Sequence, residues 1–417
     1  MVNLGSVKVD KSWSFADISR KETLYATHGY HRYPAKFIPQ LVRRIIRGYS
    51  KPGDLVLDSF GGCGTTLVES KLSGRESIGL DVNEVAVLMA KAKTIALEPD
   101  TLEQRNKILL ERIANNKDTS NYFKNANKRL QYWFKPQEFN KLRVICDCIQ
   151  KEKDSKIRLF YNCCFSNILK NCSIWYSRSI KPMRDDSKKI AEPASAFTNH
   201  LDYMTRKNKE YVELLQAKKV ENVSCQMKKG NARKIDLPDN CIDLAVTSPP
   251  YVTSYEYAEL HQLSILWFNF ADDIKEIKKN FVGTSSRERA RRNIDSELAK
   301  GTVKRLIKVN KRLAKHVSNY YYDLERCYRE IHRVLKKGKH ACIIIGDTEH
   351  RDIKIPNAEV TIQLLENIGF ECKRIIKRKL SSKIFTPYRD KSGKFTDADH
   401  GGKRKIYQYE YVIFAKK

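Results

Sequence analysis

Residues 54–97 limit the possible folds more than any other stretch of this chain. Leu55-Val56-Leu57 is a short apolar run, and it leads into Asp58-Ser59-Phe60-Gly61-Gly62-Cys63-Gly64-Thr65-Thr66. Residues 65–72 then carry helical character and stop at Gly74; Ser77-Ile78-Gly79-Leu80 reads as a second strand and residues 84–96 as a second helix. Strands that alternate with helices predict a parallel sheet, because parallel neighbours must be joined by a crossover. The glycines let the backbone turn tightly and approach a ligand, and the helix N-terminus behind them offers free N–H groups. The fold class expected is α/β, a Rossmann-like sheet.

The glycine spacing departs from the dinucleotide fingerprint G-x-G-x-x-G. Gly62-Cys63-Gly64 supplies its first half, but Leu67 occupies the third glycine position, which disfavours a nicotinamide or flavin dinucleotide. Asp58 would sit badly beside a pyrophosphate and suits a cationic amino-acid moiety, such as that of S-adenosylmethionine. Asp81 ends the second strand 23 residues later, where a carboxylate can bind ribose hydroxyls. The competing role for Asp81 is a helix N-cap, which Asn83 contests.

A second feature lies far downstream, in Asp243-Leu244-Ala245-Val246-Thr247-Ser248-Pro249-Pro250-Tyr251. An apolar strand ends in a hydroxyl, two prolines and an aromatic ring. The prolines have fixed φ and no N–H, so the corner is stiff and its carbonyls point outward. Stiff acceptors beside a flat ring suit the amino group of an extruded nucleobase. The bland alternative is a Pro-Pro turn after a buried strand.

Lys and Arg number 79 against 49 Asp and Glu, a net charge of +30, which points to a polyanionic partner. Nucleic acid is favoured over a membrane. No apolar run approaches the ~20 residues a span requires, and residues 1–20 hold no signal-peptide apolar stretch. Basic residues cluster at Arg287, Arg289, Arg291 and Arg292, and again at Lys304 and Arg305, the candidate DNA contacts. A solvated helix face is the alternative for each cluster. The eleven cysteines include no pair of C-x-x-C units, so no metal site is expected. They read as buried small hydrophobes in a reducing cytoplasm.

Five segments follow. Residues 28–98 form the cofactor-binding half of the sheet. Residues 99–229 are a mainly helical insertion rich in aromatics (Tyr132, Trp133, Phe134, Phe160, Tyr161, Trp175) and a candidate for target recognition. Residues 230–259 hold the catalytic strand and motif, residues 260–333 a basic helical insertion, and residues 334–417 the C-terminal part of the sheet.

Asp58 to Thr66 and Ser248 to Tyr251 together resemble the S-adenosylmethionine-dependent DNA amino-methyltransferases, whose motifs look like D-P-F-x-G-x-G-T-T and (D/N/S)-P-P-(Y/F). His31-Arg32-Tyr33-Pro34-Ala35-Lys36-Phe37-Ile38-Pro39 is similar to the family's segment over the methionine end of the cofactor, and Gly230-Asn231-Ala232-Arg233 to its segment near the adenine. The resemblance implies a class I methyltransferase sheet with two helical insertions. It implies S-adenosylmethionine held by Tyr33, Lys36, Asp58, Phe60, Gly61, Gly62, Gly64, Thr65, Thr66, Asp81, Asn83, Asn231 and Ala232. Thr-Ser-Pro-Pro-Tyr is most like the cytosine-N4 branch, acting on double-stranded DNA in a prokaryotic restriction–modification system with a cognate endonuclease.

On this reading the Ser248 hydroxyl and Pro249 carbonyl accept from the amine, while Pro250 stiffens the corner and Tyr251 stacks on the base. Tyr255 and Tyr257 are further candidates for the base pocket, with ordinary packing as the alternative, and His261 reads as an ordinary helix histidine, with a substrate role as the alternative. A cytosine-C5 enzyme would need a Pro-Cys nucleophile, which this sequence lacks. Adenine-N6 methylation is the alternative, followed by an RNA amino-methyltransferase or an inactive DNA-binding homologue.

Overall fold

The computed structural model describes residues 4–252, 256–284, 293–350, 353–380, 388–389, 395–396, 401, 404–405 and 408–417. Its main sheet has seven strands: β1 (Leu55–Asp58), β2 (Glu76–Asp81), β3 (Cys225–Lys229), β4 (Ile242–Thr247), β5 (Leu335–Ile345), β6 (Glu371–Lys379) and β7 (Tyr409–Lys416). They lie in the order β3-β2-β1-β4-β5-β7-β6. The pairs from β3 through β5 are parallel, and β7 runs antiparallel to both β5 and β6. The chain reverses its direction of travel across the sheet between β1 and β4. Such a switch point opens a crevice at the carboxyl ends of the strands. Leu57 pairs with Ala245, so the glycine loop after β1 and the proline corner after β4 leave the sheet as neighbours.

Eleven helices matter here. α1 (Pro39–Tyr49), α2 (Thr65–Leu72) and α3 (Glu84–Thr94) accompany the first two strands. The first insertion carries α4 (Pro99–Ala114), α5 (Pro136–Gln150), α6 (Ser155–Ile168) and α7 (Pro193–Lys218). Beyond β4 come α8 (Gln262–Trp267), α9 (Glu297–Val309), α10 (Lys311–Val334) and α11 (Asn357–Ile368).

Side chains alternate across the sheet. Val56, Leu244, Val246, Ile344 and Val412 face α1, where Leu41, Val42, Ile45 and Ile46 meet them. Leu57, Ala245, Ile343, Ile345 and Ile413 face α10 and α11. With both faces covered, β4 and the end of β5 read as continuous apolar runs rather than alternating ones.

β3 corrects the sequence reading. Residues 99–229 are not helical to their end, because Cys225–Lys229 pairs with β2 as the edge strand. Cys-Gln-Met-Lys-Lys buries only Met227, and a polar edge of this kind carries no apolar run to recognise.

The aromatics of the first insertion also behave differently from expectation. Trp133, Phe134, Phe160, Tyr161 and Trp175 are buried, whereas Tyr132 is 49% exposed. Trp133 and Trp175 stack with centroids 5.0 Å apart, and Phe134, Phe139 and Phe165 pack around Trp267 of the second insertion. The Trp133 indole donates to Gln262 Oε1 at 3.0 Å. One hydrophobic core therefore joins α3, the first insertion and α8. These rings hold the helices together rather than facing a nucleic acid. Among the described residues, no helix is long and apolar enough to cross a membrane.

Candidate active site

The crevice at the switch point is a cavity of about 1500 Å³. Ser248, Pro249, Pro250 and Tyr251 line it together with Tyr33, Lys36, Asp58, Phe60, Gly61, Gly62, Thr65, Asp81, Asn231 and Ala232. The two motifs, far apart in sequence, share one chamber.

The glycine loop is fixed from both sides. Gly61 N–H donates to the Leu80 carbonyl at 2.8 Å, and Gly62 N–H to Asp81 Oδ2 at 3.0 Å. Gly64 caps α2 with φ of 80°, and a Cβ there would lie 2.7 Å from the Ala90 Cβ. Only glycine allows both the left-handed turn and the close approach of α2 to α3.

Asp58 is buried and accepts from Thr66 Oγ1 at 2.6 Å, Thr247 Oγ1 at 2.7 Å and Phe60 N–H at 3.1 Å. Burial pushes its carboxyl up to about 6, against the pull of these hydrogen bonds. Thr247, the residue before the proline corner, thereby ties the two motifs together. Asp81 takes the Asn83 N–H at 2.8 Å, and burial likewise raises it to about 6. Asn83 caps α3 by accepting from Val85 N–H, which leaves Asp81 free of that duty.

Three expected cofactor residues stand behind the wall rather than on it. Thr66 orients Asp58, Gly64 sets the helix packing, and Asn83 holds His261, with Asn83 Nδ2 2.7 Å from His261 Nδ1. The amide nitrogen must donate, so Nδ1 accepts and Nε2 carries the ring proton. Burial lowers His261 to about 4, which keeps it neutral. His261 lines the cavity beside Tyr33 and Tyr257, whose rings stack 5.4 Å apart. It is therefore a wall residue rather than an ordinary helix histidine. Lys36 Nζ donates to the His28 carbonyl at 2.9 Å, and burial lowers it to about 8. Asn231 Oδ1 accepts from Arg233 N–H and Nε, at 3.1 and 2.9 Å, which points the amide nitrogen away from Arg233. Arg233 is itself locked to buried Asp323 at 3.0 Å.

At the proline corner, Ser248 Oγ donates to the Ile344 carbonyl at 2.9 Å. Its one proton is committed to β5, so its lone pairs remain for a donor in the cavity. Tyr251 OH donates to Glu410 Oε1 at 3.0 Å, and a Cβ at Gly346 would lie 2.9 Å from the Tyr251 ring. The ring is thus fixed by its edge and its hydroxyl.

The residues present fit S-adenosylmethionine. Asp81 can take ribose hydroxyls at the tip of β2, and Asp58 stands near the expected place of the cationic amino-acid end. A family model for DNA methylases, of the N6 and N4 amino type, matches residues 3–92 and 242–417. The chain belongs to the DNA methylase family. This methylase uses S-adenosylmethionine as cofactor. It is 25% identical to the Type II methyltransferase M.MvaI of Kocuria varians, over 91% of this chain and 89% of that protein. It is 22% identical to M.BsoBI of Geobacillus stearothermophilus, over 84% and 80%. Among solved structures, a SAM-dependent methyltransferase of Methanosarcina mazei aligns with 93% of the methylase and 98% of its own chain, at 11% identity and a TM-score of 0.31.

The expected DNA contacts divide in two. Lys304 and Arg305 of the methylase are exposed on α9 and do not line the cavity. Arg287, Arg289, Arg291 and Arg292 lie outside the described residues, as does Tyr255. Sequence reasoning missed the Thr247–Asp58 and Tyr251–Glu410 contacts. Only Thr247 carried a signal, its place beside the Ser-Pro-Pro-Tyr corner.

Proposed function

We propose that this methylase transfers a methyl group to the exocyclic N4 of cytosine at a short site in duplex DNA. It would serve as the modification arm of a prokaryotic restriction–modification system with a cognate endonuclease. The observation that carries this reading is the Ser248 hydroxyl. It donates outward to Ile344, and so presents a neutral oxygen acceptor to the chamber that also contains Asp58 and Asp81.

An exocyclic amine conjugated to a pyrimidine is a poor nucleophile, because its lone pair is delocalised into the ring. Ser248 Oγ and the Pro249 carbonyl each accept one of its N–H groups, which favours a pyramidal nitrogen and returns the lone pair. Tyr251 holds the extruded ring. S-adenosylmethionine, when bound, supplies an already activated sulfonium methyl. Asp58, Asp81, Lys36, Tyr33 and Asn231 hold and orient it, so positioning contributes most of the catalysis. The two Type II methyltransferases that align along most of the chain support the restriction–modification role.

The test is to incubate the purified chain with labelled S-adenosylmethionine and duplex DNA, then to digest and separate the nucleosides. Label in N4-methylcytosine is expected, and sequencing the modified DNA gives the site. Label solely in N6-methyladenine overturns the base assignment, and transfer to tRNA but not to duplex overturns the substrate.

A further inference from the structure

Arg378 is the most unusual side chain on the cavity wall. It is the penultimate residue of β6, is 1% exposed, and lines the same chamber as Ser248 to Tyr251. Its cross-strand partner on β7 is Glu410, whose Oε2 lies 3.6 Å from Arg378 Nε. That separation is an ion pair but too long for a hydrogen bond. Neither Nε nor Nη1 has a hydrogen-bond partner among the described residues. A buried guanidinium with idle donors is costly unless something completes it. Asp347, an acid on the same wall, is already engaged by Lys354 at 3.1 Å and by the Ala358 N–H at 3.0 Å.

The connections around Arg378 show which way it serves. Ser248 sits where the amine is gripped, and Tyr251 follows in the same corner. The Tyr251 hydroxyl reaches Glu410, and Glu410 pairs with Arg378. Contacts thus connect Tyr251, Glu410 and Arg378 along a wall of the chamber that Ser248 also lines. Cytosine presents an amine, a ring nitrogen and a carbonyl along its Watson–Crick edge, whereas adenine presents an amine, a ring nitrogen and a C–H. On the Watson–Crick side, a cationic donor placed beyond the ring nitrogen meets an acceptor only on cytosine.

We propose that Arg378 donates to the O2 carbonyl of the extruded cytosine and so selects it over adenine. This rests on the cytosine-N4 reading above. Glu410 is a positioning residue that neutralises the guanidinium and anchors Tyr251 at once.

The test uses the full chain and the duplex site mapped from its own methylation. The target cytosine is replaced by 2-thiocytosine, whose sulfur is a weak acceptor. Wild type should lose about 10- to 100-fold in kcat/KM, the range for one hydrogen bond to a charged group. Arg378→Met should lose a similar factor on cytosine, keep its affinity for S-adenosylmethionine, and no longer distinguish the two bases. Arg378→Lys should recover part of the activity. Equal turnover of cytosine and 2-thiocytosine by wild type overturns the proposal without any variant. So does an Arg378→Met enzyme that keeps the wild-type preference, which would leave Arg378 a phosphate or purely structural contact. Failure of the cytosine-N4 reading shows separately, as label in adenine from wild type.

Discussion

At the residue scale, the hydroxyl of Ser248 separates binding from chemistry. Ser248→Ala removes an acceptor for the amine but touches nothing on the cofactor side. Its kcat should fall by about 10- to 100-fold while the calorimetric Kd for S-adenosylmethionine stays unchanged. Equal losses in both would place Ser248 in cofactor binding instead. Asp58 and Asp81 carry a pH signature. Both titrate at about 6 in the folded chain, against an ordinary 3.8, because burial disfavours their charge. Between about pH 4 and pH 6 the folded state thus binds more protons than the unfolded one, so these two groups lower stability as pH rises through that window. S-adenosylmethionine has the opposite demand, since its cationic end favours an ionised Asp58 and its ribose hydroxyls donate best to an ionised Asp81. Cofactor affinity should therefore weaken as pH falls below 6, by about tenfold per carboxylate at pH 5. Calorimetry at pH 7.5 and pH 5 measures this. Asp58→Asn should remove Asp58's share of that loss and leave Asp81's, and a wild-type affinity that does not change across the range would remove both carboxylates from the binding step.

At the element scale, the strands and helices of the sheet were legible because their patterns are local. Residues 65–72 and 242–247 stand where the periodicity predicts them, as α2 and β4. β3 was not legible, since a single buried methionine leaves no pattern. The Asn83–His261 contact and the Tyr251–Glu410–Arg378 series were also hidden. Each depends on which elements become neighbours. The two helical insertions read as separate modules because their shared core is built from rings more than a hundred residues apart. Trp267 is 7% exposed and meets Phe134, Phe139 and Phe165. Trp267→Ala should cost about 3–5 kcal/mol, read by denaturant unfolding. Limited proteolysis of that variant should open α5, α6 and α8 together. Cleavage confined to residues 256–284 would mean the insertions are independent after all.

At the scale of the whole molecule, a net charge of +30 makes DNA affinity a function of salt. If 6–10 phosphates are neutralised, affinity should fall by about 10³–10⁵ between 50 and 200 mM salt. Lys304→Glu combined with Arg305→Glu should make the log–log slope shallower by about two and leave cofactor affinity intact. A slope identical to wild type would return α9 to the role of a solvated face.

The joint packing around Trp267 also limits how target preference in such an enzyme can be exchanged. A chimera that takes residues 99–229 from a relative loses the Trp133 indole and keeps the Gln262 amide that was matched to it. The graft then leaves a cut core and a stranded acceptor. An exchange that keeps this core intact has to carry two cooperating pieces of chain together.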